Sequence, residues 1–249
     1  MKWYIGTSGF MISKKNWLEL KDLNCIEINS SFYSLPSIKT INNWYKTENI
    51  VYSLKCSKLI THIKRLHDCK KEWNIYWNRV SLLKEKLVAI LIQLPPSFKL
   101  NDDTFKRLKI FLSYLPLNKV DIVFEFRDKS WFIESIYKLF KRYKVTIGGS
   151  LISRPTKKYW LGNLPSGINI PERTSNTTYI RVHGEKGYKG FYKKSVLKTL
   201  KNKIKKKKTK KNYVMFNNTF FVKRNKSCKK NNKQIKYAAV CDAIDFANL

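Results

Sequence analysis

The sequence has few of the residues that usually build metal clusters. Its 249 residues include three histidines and five cysteines, and no two cysteines stand in a Cys-x-x-Cys spacing. A histidine-rich cluster of several metals is therefore hard to assemble, and we expect no metal site and no other cofactor. The odd number of cysteines, without that spacing, favours reduced thiols.

Long apolar runs are also missing from the sequence. The most apolar segment, LVAILIQL at 87–94, is much shorter than the roughly 18 residues that a membrane-spanning helix needs. The opening residues MKWYIGTSGF show neither the apolar stretch nor the cleavage site of a signal peptide. We therefore expect a soluble, intracellular, cytoplasmic protein without a membrane partner, and the sequence leaves its oligomeric state open.

Acidic side chains are scarce in comparison with basic ones. The chain has 17 Asp and Glu against 51 Lys and Arg, which gives a formal net charge of +34. A charge of this size predicts sequence-independent attraction to polyanions such as nucleic acid. Lysine, asparagine and isoleucine are all abundant, as they are when an AT-rich genome drifts toward A-rich codons. The charge therefore has two explanations, binding and codon drift, and both stay open at this point.

Eight short segments of the sequence have the character of buried strands. Most are separated by segments with apolar residues three and four positions apart, which indicates helices. This alternation over the length of the chain is typical of a TIM-type (β/α)8 barrel, so we predict an α/β fold of that type in a single domain covering residues 1–249. A doubly wound open sheet is the alternative, although no G-x-G-x-x-G follows the first strand. The predicted strands are at 2–7, 25–29, 51–55, 87–94, 121–126, 145–149, 178–183 and 213–217, and the predicted helices are at 38–48, 71–86, 103–115, 132–143 and 195–204.

Two segments interrupt this alternation. Residues 150–176 contain three prolines and two glycines without a clear period, so we predict a long irregular loop, which in a compact domain often serves as a lid or binding loop. Residues 193–212 keep an apolar stripe while lysines fill the other faces, so we predict a lysine-rich outer helix with a basic surface and a disordered end.

Charged residues end the strand-like segment VDIVFEFRDKSWF at 120–132, where a buried strand should be apolar. Because side chains alternate along a strand, Glu125 and Arg127 share the face opposite to Phe124 and Phe126. In a barrel, the inward face at the carboxyl end of a strand opens into the site. Other strands end in polar residues in the same way, so we predict that these groups meet at one mouth. The alternative is a satisfied ion pair that only fixes the register.

The basic residues at the strand ends suit an anionic ligand. Lys55, Arg127 and Arg181 would bind phosphate or carboxylate, since guanidinium groups can hold two such oxygens at once. The other strand-end groups suit proton transfer. Glu27 and Glu125 are candidates for general acid and base, and His183 is a candidate for proton transfer near neutral pH.

Several motifs, in the correct order, resemble the YecE-like proteins, also called domain of unknown function 72. These are IGTSGF at 5–10, EINSSFYSLPS at 27–37, SLKCSKLITHIKRL at 53–66, QLPPSF at 93–98, FEFRDKSWF at 124–132, YIRVHG at 179–184 and FNN at 216–218. The resemblance implies a TIM-type barrel and no assigned function. The barrels of this family are similar to those of endonucleases and sugar isomerases, which suggests a nucleic-acid or sugar-phosphate substrate by analogy alone. The chain departs from the family at 148–153, GGSLIS, where members often carry an acidic residue, and at Phe10, where tryptophan is usual.

The strand ends and the resemblance together give the candidate site and two hypotheses about its function. The first hypothesis is an enzyme, a hydrolase or isomerase of the TIM-barrel type, that acts on a phosphate-bearing ligand such as a nucleic acid or sugar phosphate. The second is a non-catalytic nucleic-acid-binding protein that uses its basic surface. The candidate catalytic residues are Glu27, Glu125 and His183, and the candidate substrate-binding residues are Thr7, Ser8, Asn29, Tyr33, Lys55, His62, Arg65, Gln93, Arg127, Arg181 and Asn217.

Overall fold

Ten strands form one sheet in the computed structural model of the chain, which describes residues 1–152, 162–185, 190–218, 228–230, 233–235 and 237–249. Each predicted strand corresponds to a strand of this sheet, and the segment predicted at 145–149 is divided between two of them. In chain order the strands are β1 (Lys2–Ser8), β2 (Cys25–Ile28), β3 (Val51–Lys55), β4 (Leu87–Gln93), β5 (Asp121–Glu125), β6 (Thr146–Ile147), β7 (Gly149–Ile152), β8 (Gly167–Asn169), β9 (Thr177–Val182) and β10 (Lys211–Phe216).

The order of the strands across the sheet is β6-β5-β4-β3-β2-β1-β10-β9-β7-β8. Neighbouring strands are parallel, except that β7 and β8 pair antiparallel. Two further strands, β11 (Cys228–Lys230) and β12 (Lys233–Ile235), form a separate antiparallel pair. Because the strands from β1 to β10 are mostly parallel, their carboxyl ends lie at the same edge of the sheet.

The sheet curls so that its two ends approach each other. One residue, Gly148, connects β6 at one end of the sheet to β7, which pairs with β9 near the other end. A single residue spans at most about 3.6 Å, so the two ends of the sheet lie side by side. The result is a curled half-barrel, and closure into a complete (β/α)8 barrel stays a prediction.

The five predicted helices are confirmed, and the described part of the chain contains three further helices. The unpredicted helices α1 and α2 have five and four residues, too few to show a period. The unpredicted helix α8 is buried along most of its length, so it has no polar stripe. The helices are α1 (Lys14–Leu18), α2 (Ser30–Tyr33), α3 (Ile38–Tyr45), α4 (Lys70–Val80), α5 (Asp102–Ser113), α6 (Glu134–Tyr143), α7 (Lys194–Lys206) and α8 (Ala238–Ala247), with a π-helical turn at Leu59–Ile63 and 3-10 turns at Ser81–Lys86 and Lys129–Trp131.

Apolar side chains pack on both faces of the curled sheet. Phe124 and Phe126 point toward the helices, and their rings lie 5.3 Å and 5.9 Å from the ring of Phe140 on α6. On the inward face, the ring of Tyr213 stacks between Tyr4 at 4.5 Å and Tyr179 at 5.4 Å. The inward face is therefore apolar and aromatic below the strand ends, and this packing supports the polar groups above it.

Part of the segment predicted to be an irregular loop is strand. Residues 150–152 belong to β7, and residues 167–169 form β8, which hydrogen-bonds to β7 in an antiparallel register. Residues 153–161 lie outside the described residues. The local sequence did not reveal β8 because its pairing is a tertiary contact, and context of this kind commonly overrides β propensity.

The lysine-rich helix is shorter than predicted. It ends at Lys206, and β10 begins at Lys211, so the predicted extent to residue 212 is wrong. The predicted disordered end is also wrong, because the Thr209 hydroxyl is buried and lies 2.8 Å from both the Thr178 hydroxyl and the Asn212 amide oxygen. These buried contacts fix the turn between the helix and the strand.

The thiol and membrane predictions meet different outcomes. Cys25, Cys56 and Cys69 are free and buried, whereas Cys241 is disulfide-bonded, so the prediction of reduced thiols is wrong for Cys241. Within the described ranges, every helix falls short of the length or the apolarity that a membrane crossing requires.

Candidate functional site

A ring of charged side chains occupies the carboxyl ends of the strands. This charged ring consists of Glu27, Lys55, Glu125, Arg127 and Arg181. Arg181 on β9 lies between the two carboxylates, with Nη2 2.7 Å from Glu27 Oε1 and Nη1 3.3 Å from Glu125 Oε2. The two carboxylates and Arg181 are buried. Residues that are distant in sequence thus meet at one edge of the sheet, as the pattern of strand ends predicts.

Glu27 has hydrogen-bond donors on both of its oxygens. Oε1 accepts hydrogen bonds from the Ser8 hydroxyl at 2.5 Å and from Arg181 Nε at 3.1 Å, in addition to Nη2. Oε2 accepts one from the Tyr179 hydroxyl at 2.8 Å, and that hydroxyl is 2.8 Å from Ser53 Oγ. A buried carboxylate with this many donors has its hydrogen-bonding capacity satisfied and holds Arg181 in a fixed position.

Arg127 keeps part of its guanidinium unpaired. Its Nη2 forms an ion pair with Glu125 Oε1, and the side chain is only 2% exposed. In the described part of the chain, Arg127 Nε and Nη1 have no hydrogen-bond partner. Buried donors of a cation are costly when unpaired, so these two N–H groups favour an acceptor that comes from a ligand.

Asp128, the residue after Arg127, has a structural role. Asp128 Oδ1 accepts the backbone N–H of Ser130 at 3.0 Å and so begins a 3-10 turn, while Oδ2 accepts from the Asn163 amide at 2.9 Å. The backbone of Gly162 lies against the Arg127 carbonyl so closely that a Cβ would be 1.6 Å from that oxygen. The loop at 162–163 therefore holds the end of β5 in place.

The cationic side chains of the ring lower the pKa of Glu125. Burial alone would raise the pKa of its carboxyl, but the charges of Arg127, Arg181 and Lys55 outweigh burial and hold the pKa below its usual value. Glu125 is therefore ionised at neutral pH. An ionised carboxylate between two guanidinium groups has no proton to donate and is a weak proton acceptor, so the geometry favours an electrostatic role for it.

Lys55 differs from the arginines because its charge is marginal. Burial and the charge of Arg181 lower the pKa of the ammonium group, and the two glutamates only partly oppose them, so the pKa is about 7. The Nζ atom lies 4.1 Å from the ring centroid of Phe32. Lys55 is thus a group of the ring that can gain or lose a proton near neutral pH.

The two histidines among the candidates are neutral at pH 7. His183 is fully buried, and burial together with nearby cations puts its pKa well below 6.5. Its Nδ1 lies 3.4 Å from the Asn217 amide nitrogen. His62 has its pKa lowered to about 4, mainly by burial, and its Nδ1 is 2.8 Å from Thr61 Oγ1. Both rings therefore contribute hydrogen bonding but no charge.

Thr7 and Gln93, two candidates at strand ends, form hydrogen bonds outside the charged ring. The Thr7 hydroxyl accepts the indole N–H of Trp17 at 2.9 Å and donates to the Gly9 carbonyl, so it supports the packing of α1. Gln93 donates from its amide to the backbone carbonyl of Leu94 at 2.8 Å. These contacts are structural, and a ligand-binding role for the two residues stays a prediction.

Three candidates lie in the connections that follow β2 and β3. Asn29 stands at the N-terminus of α2 with a buried Oδ1 that has no partner among the described residues. Tyr33 is 78% exposed, and its ring packs edge-on against Phe32 at 5.0 Å. Arg65 is exposed with a φ of 48°. Tyr33 therefore lies at the outer rim of the site, beyond the Phe32 ring that covers Lys55.

Two buried polar groups near the strand ends, Tyr179 and Asp242, are not among the predicted site residues. Tyr179 has the signal of lying two positions before Arg181, which places both on the inward face. Asp242 on α8 has no such signal. Its carboxylate accepts the Tyr192 backbone N–H at 3.2 Å and the Asn218 amide at 3.0 Å, and burial raises the pKa of the carboxyl to about 8.

The charged ring offers a ligand different groups from those of a metal site. In the ranges that the structure describes, no group of three or more His, Cys, Asp and Glu is placed to hold a metal ion. The carboxylates of the ring are engaged by guanidinium groups, whereas donors of Arg127 remain available. The N–H donors of Arg127 suit a ligand or cofactor that carries a phosphate or carboxylate group.

Comparison with known proteins shows the family. The family model "Protein of unknown function DUF72" matches residues 13–239. A DUF72 family protein from Thermotoga maritima has a similar structure, with a TM-score of 0.76 and 22% identity over 100% of this chain and 98% of that one. Another from Enterococcus faecalis has a TM-score of 0.72 and 17% identity over 99% and 96%. No curated protein matches the chain. Because the family model spans most of the chain and agrees with the YecE-like motifs, this protein belongs to the DUF72 family of proteins of unknown function.

Proposed function

We propose that the protein binds a small anionic ligand, through its phosphate or carboxylate group, beside Arg127 at the carboxyl ends of the strands. The observation that carries this proposal is the pair of buried, unpartnered donors on Arg127, Nε and Nη1. A guanidinium fork matches two oxygens of a phosphate or carboxylate, and such charge-assisted hydrogen bonds are among the strongest in proteins.

The charge balance of the ring also supports an anion. When Lys55 is protonated, three cationic side chains, Arg127, Arg181 and Lys55, face two carboxylates, Glu27 and Glu125. Taking an unbalanced charge out of water is costly unless a partner is supplied. A bound anion would supply that partner and would also satisfy the donors of Arg127.

The hydrolase or isomerase activity predicted from the sequence needs a group that exchanges protons near neutral pH. Glu27 and Glu125 are engaged by Arg181, and His183 is kept neutral by burial. Lys55 meets the requirement, because the pKa of its ammonium group is about 7. The proposal therefore assigns the glutamates to positioning and charge balance, and Lys55 to the exchange of protons.

We infer further that residues 1–249 form a single closed (β/α)8 barrel with the ligand at its mouth. The inference is supported by the connection through Gly148, which joins β6 to β7 and so brings the ends of the sheet together. Closed barrels of this type bind their ligands at the carboxyl ends of the strands, where the charged ring lies.

Phosphate binding to an Arg127→Met variant tests the anion site. We expect inorganic phosphate to bind the unchanged protein, and the variant to bind it roughly 10- to 100-fold more weakly, because methionine provides neither of the fork donors. Isothermal titration in a low-salt chloride buffer measures both affinities. Arg127→Lys should also weaken binding, since an ammonium group lacks the planar fork.

The control for this titration is Arg142→Met. Arg142 is exposed on α6, so its removal lowers the net charge by the same amount without touching the ring. Its phosphate affinity should stay within about twofold of the unchanged protein. Equal affinities for the Arg127→Met and Arg142→Met variants would reject the anion site, because binding would then follow net charge alone.

The exposed lysines of α7 favour nucleic-acid binding as a second candidate function, and salt dependence tests it. Affinity for a labelled DNA duplex, followed by fluorescence anisotropy, should fall steeply between about 50 and 200 mM salt. Replacing Lys203, Lys205 and Lys206 with glutamine should reduce the log–log slope by roughly three, one unit for each phosphate that a lysine no longer neutralises. These three side chains are all exposed.

A matched variant separates a binding surface from general charge. Lys106, Lys109 and Lys119 are exposed and lie on or just after α5, so their replacement by glutamine removes the same charge elsewhere. This variant should keep the slope of the unchanged protein. If both triple variants reduce the slope equally, α7 is not a nucleic-acid surface and its lysines act only through the net charge.

A further inference from the structure

Lys55 is held firmly at the end of β3. Its backbone carbonyl accepts hydrogen bonds from the Ser31 hydroxyl at 2.7 Å and from the Tyr76 hydroxyl at 3.2 Å. Its side chain points inward, and the amine lies over the ring of Phe32. A nucleophile needs a fixed position of this kind, because reaction requires the attacking atom to be oriented toward its target.

The side chain of Lys55 is half-buried, and its amine forms no ion pair with a carboxylate of the described residues. Among the residues that the structure describes, the ion pairs of Glu27 and Glu125 are formed with Arg181 and Arg127. The amine nitrogen is therefore not locked as a charged partner. Burial and the neighbouring guanidinium groups also keep the pKa near 7, so much of the amine is neutral at neutral pH and has a free electron pair.

The amine also lies at the same edge of the sheet as the proposed anion site. Lys55 ends β3, and Arg127 follows the end of β5, which is separated from β3 by β4 in the strand order. Arg127 contributes the two unpaired donors. A ligand whose phosphate or carboxylate is held by Arg127 would therefore place the atoms next to that group close to the amine.

We infer that Lys55 forms an imine with an anionic aldehyde or ketone whose phosphate or carboxylate is held by Arg127, an inference that rests on the proposed anion site. The nitrogen electron pair attacks the carbonyl carbon, a C–N bond forms, and the carbonyl π electrons move to oxygen. The resulting carbinolamine loses that oxygen as water, together with the two protons of the amine. No oxidant or reductant takes part in this condensation.

Reductive trapping tests the inference. The protein is incubated near neutral pH with glycolaldehyde phosphate and sodium cyanoborohydride, which reduces an imine to a stable secondary amine, and the modified peptides are identified by mass spectrometry. We expect modification of Lys55 at least roughly tenfold above that of Lys58, which is exposed and lies three positions further along the chain. Because both lysines are measured in one unchanged protein, this comparison does not depend on a variant that folds.

Two further measurements separate the inference from the anion site. Unphosphorylated glycolaldehyde should modify Lys55 at least roughly tenfold less than the phosphorylated probe if Arg127 holds the phosphate. Equal modification by both probes would support the imine and overturn the anion site. If Lys55 is modified no more than Lys58 by either probe while phosphate still binds in the titration, the imine inference is overturned and the anion site stands. In a Lys55→Arg variant, the adduct at this position should disappear while that at Lys58 is unchanged.

Discussion

The Glu27→Ala variant should unfold with a free energy roughly 3–5 kcal/mol lower than that of the unchanged protein, as measured by urea denaturation. The substitution leaves Arg181 buried with Glu125 as its remaining ion-pair partner among the described residues, and it removes the carboxylate that accepts from the Ser8 and Tyr179 hydroxyls. Breaking a buried ion pair by removing one partner is costly because the remaining charge stays out of water. A decrease of this size is a large part of the stability of a typical domain.

Two other variants show whether the charge or the contact is responsible. Glu27→Gln keeps the shape and the acceptor oxygen but removes the charge, so it should also destabilise the protein, by less than Glu27→Ala. Glu134→Gln breaks an exposed ion pair with Lys138 on α6 and should change the free energy of unfolding by under about 0.5 kcal/mol. If Glu27→Ala is no more destabilising than Glu134→Gln, the Glu27–Arg181 pair does not organise the site. Should Glu27→Ala fail to fold, the comparison rests on Glu27→Gln.

The strands and the direction of their side chains could be predicted because both follow from the period of the sequence. Phe124 and Phe126 alternate with Glu125 and Arg127, and the structure places the phenylalanines under the helices and the charges inside. The meeting of Glu27 with Arg181 follows from the same rule applied to parallel strands, since their carboxyl ends share one edge of the sheet.

The parts that could not be predicted depend on tertiary contacts. β8 pairs antiparallel with β7 although its own sequence is short and has a glycine at one end. α8 lies against β1 and β10, and its burial on most sides removes the polar stripe that identifies an outer helix. The sequence suggested proton transfer by the glutamates. It could not show that Arg181 and Arg127 form ion pairs with both carboxylates, or that Lys55 has no carboxylate partner among the described residues.

The charged ring therefore divides into a stable part and an available part. Glu27 and Arg181 satisfy each other through two hydrogen bonds and form the stable part. Arg127 and Lys55 form the available part, because one keeps unpaired donors and the other keeps an unpaired amine within the described residues. Groups that are left unsatisfied in a folded protein reduce its stability, and they persist where a ligand uses them.

The Lys55→Met variant should accordingly be more stable than the unchanged protein at pH 7, by roughly 2–4 kcal/mol. The amine has a pKa of about 7 in the folded protein and an ordinary value of 10.5 when exposed in the unfolded chain. Between pH 7 and pH 10.5, the Lys55 amine is protonated in the unfolded chain and mostly neutral in the folded protein, so stability rises with pH over this range. The destabilisation that this amine causes is therefore largest at and below pH 7. Methionine fills a similar volume without a charge, and urea denaturation measures the gain.

The pH dependence of this gain identifies its cause. As the pH rises from 7 toward 10.5, the unfolded chain also loses its proton from Lys55, so the stability of the unchanged protein rises toward that of Lys55→Met and the gain shrinks. Tyrosines and cysteines that titrate in this range are common to both proteins, and their contributions cancel in the difference. Lys58→Met, at an exposed position, should differ from the unchanged protein by under about 0.5 kcal/mol at every pH. A gain at Lys55→Met that does not change with pH would show that the methionine stabilises by apolar packing, and that the Lys55 amine is not held near neutrality.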